Sequence, residues 1–98
     1  MNGANFDELR VAIMQNGFGV EEVVRHPEHF DSWHVTIAAA PRLRIVWDGR
    51  EGWLIVQQET TEIFNGSIVW RDLWIAKTAS QKTPERVIQV LRVHHGAA

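Results

Sequence analysis

Cysteine is absent from this chain of 98 residues, so disulfides and thiolate metal sites are excluded. Tyrosine is absent too, proline occurs only three times, and no apolar run approaches the roughly 18 residues of a membrane-spanning helix. The opening stretch, MNGANFDELR, lacks the basic start and apolar segment of a secretory signal peptide, so a cytoplasmic location is expected. Basic charge is not in excess. Ten Lys and Arg face twelve Asp and Glu, for a net charge of −2, which argues against a general electrostatic binder of nucleic acid. Repeats, low-complexity tracts and linkers are also missing. Residues 1–98 read as one domain, since a chain this size buries about 60% of its unfolded surface in a single core.

Tryptophan, by contrast, occurs five times. Trp is seldom fully buried in a small core and its indole N–H needs a partner. Five in so short a chain raise the question of whether all of them can be core.

Residues 6–16 have the pattern of a helix. Asn5 is placed to N-cap it, Glu8 completes a capping box, and Phe6, Leu9 and Ile13 share a face with Ala12 beside them. Gly17 follows as the left-handed residue that closes it. Residues 18–25 are apolar and β-branched, although Val23 and Val24 break strict alternation. Pro27 interrupts. Trp33, Val35, Ile37 and Ala39 then alternate with His34, Thr36 and Ala38, a half-buried strand that Pro41 ends.

The clearest signal is a hairpin over residues 42–58, with its turn in Asp48-Gly49-Arg50-Glu51-Gly52. A four-residue loop with Trp47 opposite Gly52 sets Val46 against Trp53 and Ile45 against Leu54. One face then carries Leu43, Ile45, Trp47, Leu54 and Val56. The other carries Arg42, Arg44, Val46, Trp53, Ile55 and Gln57. Residues 59–67 read as a polar connection turning at Asn65-Gly66. The strand that follows, residues 68–77, places Ile68, Trp70, Asp72 and Trp74 on one face. Thr83-Pro84-Glu85 opens a second helix with an N-cap, a proline at the first position and an acid in the first turn, and Val87, Ile88 and Leu91 form its stripe. Residues 95–98 read as a fraying tail. The expected fold is α+β in the order α-β-β-β-β-α: an antiparallel sheet of approximately four strands flanked by an N-terminal and a C-terminal helix. If one helix covers each face, everything apolar is buried. If not, part of one face stays open as an aromatic and arginine surface of the kind found at interface hot spots.

Few residues suggest chemistry. His26, Glu28, His29 and His34 offer imidazole and carboxylate ligands that suit zinc. The spacing is not that of two histidines on one helix face, and Pro27 marks a loop, so the expected reading is ordinary solvated histidines with no metal and no cofactor. Asp31, Ser32 and His34 have the residue types of a catalytic triad, but close neighbours on one strand seldom reach triad geometry. No catalytic residue is assigned, and a non-enzymatic protein is expected.

The stretch Leu43-Arg44-Ile45-Val46-Trp47-Asp48-Gly49-Arg50-Glu51-Gly52-Trp53-Leu54, with Pro27-Glu28-His29-Phe30 before it, resembles small bacterial immunity-type proteins encoded beside polymorphic or contact-dependent toxins. The resemblance covers roughly residues 26–75 and implies stoichiometric occlusion of a toxin by a protein surface. On that reading Asp48, Arg50, Glu51, Trp53, Glu59 and Glu62 are the partner-binding candidates. The acids would meet a basic cleft and Trp53 would be an anchor. The alternative is an accessory domain that self-associates, as a homodimer, through an aromatic sheet face.

Overall fold

The computed structural model describes residues 6–95. Its elements are α1 (Phe6–Gln15), β1 (Val20–His26), β2 (Ser32–Ile37), β3 (Leu43–Asp48), β4 (Trp53–Phe64), β5 (Ser67–Ala76) and α2 (Pro84–His94). The class is α+β. The sheet has five antiparallel strands in sequence order, one more than expected.

Both helices pack on the same face of this sheet. Leu9 and Ile13 of α1 and Val87, Ile88 and Leu91 of α2 form one buried cluster with Trp33, Val35, Ile37, Leu43, Ile45, Trp47, Leu54, Val56 and Ala76 from the strands. The face set read from the hairpin is therefore the core. A Schellman motif closes α1. The Gly17 N–H donates to Met14 O at 3.1 Å, the Phe18 N–H donates to Ile13 O at 3.2 Å, and Gly17 has φ +82°. The expected N-cap Asn5 lies outside the described residues. At α2 the Thr83 hydroxyl accepts from the Arg86 N–H at 3.3 Å. His95, expected to fray, is held instead. Its Nε2 lies 2.9 Å from Ala38 O and its ring meets Phe18 edge-on at 4.9 Å.

Three expectations about the strands are corrected. First, the β3–β4 pairing is Asp48↔Trp53 and Trp47↔Leu54, rather than Val46 opposite Trp53. The loop keeps four residues but slides along the chain, and because each partner shifts by two positions every side chain keeps its face. Second, the stretch read as a polar connection is strand. β4 runs on to Phe64, and Asn65 (φ +51°) with Gly66 (φ +79°) makes a two-residue turn into Ser67. Its Glu and Thr residues are polar because β3 begins only at Leu43, opposite Gln58, so the far half of β4–β5 extends as a two-stranded arm with no third strand. Third, Trp70 and Trp74 do not share a face. The register passes from Val56↔Trp74 to Gln57↔Asp72, so Leu73 is the extra residue of a bulge and alternation reverses there. A like irregularity at Glu21, between Val20↔Ile37 and Glu22↔Thr36, puts Val20 and Val23 on one face and accounts for the broken alternation of β1.

Candidate functional site

The helix-free face of the sheet is built in rows. Cross-strand pairing aligns Val24, His34, Val46, Ile55 and Ile75, one from each strand, and all five are half-buried. The neighbouring row is Glu22, Thr36, Arg44, Gln57 and Asp72. Three of its polar side chains are linked to one another. Arg44 donates from Nε (3.0 Å) and Nη2 (2.7 Å) to Gln57 Oε1, and Gln57 Nε2 donates to Asp72 Oδ1 at 2.8 Å. His34 Nε2 lies 3.8 Å from the Glu22 carboxylate. Burial, then the Arg44 guanidinium, hold the His34 imidazole below its ordinary pKa against the pull of Glu22. His34 thus favours its neutral form between Val24 and Val46.

Two tryptophans stand on this face, each under a cation. The Arg44 guanidinium carbon is 4.2 Å and that of Arg42 is 5.7 Å from the Trp70 ring centroid, and Lys77 Nζ is 4.3 Å from that of Trp53. Trp33 and Trp47 are buried under the helices, and Trp74 packs at the margin of that core. Three of the five are therefore used by the core and two by the open face.

At one end of the sheet two loops are fastened together. Ser32 Oγ accepts from the Gly49 N–H at 2.9 Å. A Cβ on Gly49 would lie 1.8 Å from Phe30 O, so only glycine permits this approach. Phe30 (φ +57°) and Asp31 (φ +55°) both adopt the left-handed conformation.

The six partner-binding candidates do not form one patch. Asp48 serves its own turn, its Oδ1 accepting from the N–H groups of Arg50 (3.0 Å) and Glu51 (3.1 Å). Arg50 and Glu51 project from the loop end, and Trp53 lies on the open face. Glu59 is committed to Arg42, accepting from its backbone N–H at 2.9 Å and its Nε at 3.0 Å. These bonds hold the Glu59 carboxyl below the usual carboxylate range. Glu62 is exposed on the arm, nine positions beyond Trp53 and on the order of 30 Å away at strand rise. Sequence reasoning missed Val24, His34 and Ile75 as parts of this surface, because joining the row needs the register of all five strands.

Among the described residues Ser32 Oγ accepts from the Gly49 N–H and makes no hydrogen bond to His34. His26 neighbours both other histidines of this region, with ring centroids 6.1 Å from His29 and 6.0 Å from His34. Among the described residues no group of three His, Asp or Glu is placed to hold a metal ion, and no helix is long and apolar enough to cross a membrane. Comparisons with family models, curated proteins and solved structures find no match.

Proposed function

We propose that this chain is a non-enzymatic protein-binding module whose contact surface is the helix-free face of the sheet together with the loop end that rims it. The observation that carries the reading is the row Val24, His34, Val46, Ile55 and Ile75, a band apolar but for His34 that crosses all five strands on the face that neither α1 nor α2 covers. Five strands span about 24 Å, and with about 25 Å along the strands the face offers roughly 600 Å² in projection. That approaches the ~800 Å² of accessible surface each partner buries in a standard interface. Arg44, Gln57 and Asp72 beside the band are already hydrogen-bonded to one another, which lowers the cost of desolvating them. A rigid surface that covers another protein fits the immunity reading, in which the partner is a toxin domain.

A second reading, homodimerisation through the same face, is favoured by the same uncovered band. One pair of measurements separates them: affinity capture from the native host using wild type beside Ile55→Lys, and mass by sedimentation over a hundredfold range of concentration. Binding to another protein predicts a partner that reconstitutes a 1:1 complex with wild type and is lost with Ile55→Lys. Self-association predicts a wild-type mass that rises with concentration and a variant mass that does not. A mass fixed at the monomer, with no partner that responds to Ile55→Lys, overturns the proposed surface.

A further inference from the structure

Phe30 is an odd residue for its position. A left-handed backbone costs a bulky side chain about 1–2 kcal/mol, and Gly, Asn or Asp normally occupy it. Burial does not compensate, since Phe30 remains 66% exposed. Asp31 beside it is of a type that tolerates the same conformation. Neither local geometry nor core packing accounts for a phenyl ring at position 30.

The backbone that carries the ring is nevertheless fixed. The His29 N–H donates to His26 O and the Ser32 N–H to His29 O, both at 3.0 Å. The Gly49–Ser32 bond and the seating of Phe30 O on the Gly49 backbone then lock this loop onto the β3–β4 turn. An exposed aromatic on a preorganised loop loses little further freedom on binding, as interface anchors require. Its surroundings are acidic. Glu28, Asp31, Asp48 and Glu51 in the two loops outnumber Arg50 and the Lys77 ammonium that lies over Trp53, and His26 and His29 flank Glu28.

We propose that the paired loops, residues 26–32 and 48–53, are the anchoring end of the contact surface, with Phe30 inserting into an apolar pocket of a protein partner whose surrounding surface is basic. This rests on the protein-binding reading and names the partner chemistry for it. The acidic rim speeds association and selects against acidic partners, while the ring supplies the short-range energy.

The substitution Phe30→Gly separates anchoring from folding, because glycine is at ease at φ +57° and the ring contributes little burial. Its thermal midpoint should equal or exceed that of wild type. The probe is a phage-displayed library of random dodecapeptides panned on the full chain. Enriched peptides should carry Lys or Arg around an apolar residue. Their affinity should fall roughly tenfold or more with Phe30→Gly, and fall again with Glu28→Lys/Glu51→Lys. Peptides that bind Phe30→Gly as well as wild type, yet lose binding to Ile55→Lys, overturn the loop anchor and leave the open-face reading standing. Enrichment of acidic or uncharged sequences overturns the basic partner. No enrichment over an empty support overturns both the anchor and the protein-binding reading.

Discussion

At residue 49 a hydrogen in place of a methyl group joins two loops. The ideal Cβ position falls 1.8 Å from the Phe30 carbonyl oxygen and 2.8 Å from its carbon, backbone atoms that no side-chain rotation can move. Gly52 differs, with φ +73° and open space where its Cβ would be. Gly49→Ala is therefore expected to cost about 2 kcal/mol or more through displaced backbone, and Gly52→Ala about 1 kcal/mol through conformation alone. Urea unfolding of the two variants checks the ranking, and a neutral Gly49→Ala would mean the loops are not joined. The sequence marks both glycines only as turn residues. Which of them meets another loop depends on where residues 26–32 lie, and no local pattern carries that information.

The elements differ in how far local pattern reveals them. Helix α2 is legible from Thr83, Pro84 and Glu85, because capping chemistry acts within one turn. The two faces of the β3–β4 hairpin are legible because a period of two survives any even slip, even though the pairing itself slides by two. The bulges at Glu21 and Leu73 are not legible, since one extra residue leaves composition unchanged and shows only against a partner strand. The β4–β5 arm escapes notice for another reason: with solvent on both faces and no third strand, it has no apolar alternation to display. Two strands alone are marginally stable, and Ile63 and Phe64 at the tip are 71% and 70% exposed. Amide hydrogen exchange should find residues 62–68 protected at least roughly tenfold less than Leu54 and Val56, which open only with the whole domain. Equal protection would show the arm held by contacts outside the chain.

For the whole molecule, the decisive fact is that both helices choose one face. Apolar residues are present on both faces of the sheet, and neither helix's own pattern says which face it will cover. Adjacent positions on β4 consequently have different fates: Leu54 lies under the helices with no exposure, whereas Ile55 is half-buried on the open side. Leu54→Ala is expected to lower stability by about 3 kcal/mol, and Ile55→Ala by about 1 kcal/mol or less. Denaturant unfolding at low protein concentration measures both. A cost at Ile55 that matches Leu54 and grows with protein concentration would identify a second copy on the open face.

The reversal at Leu73 also decides what the molecule can report about itself. By turning Trp74 inward and leaving Trp70 outward, it sets a fluorophore beside Arg44 at one end of the open face, while Trp53 sits at the other under Lys77. Trp33 and Trp47 remain sealed as an internal reference. Emission from the Trp53→Phe and Trp70→Phe variants compared with wild type can thus distinguish occupancy near the loops, sensed at Trp53, from occupancy across the whole sheet, sensed at Trp70 as well.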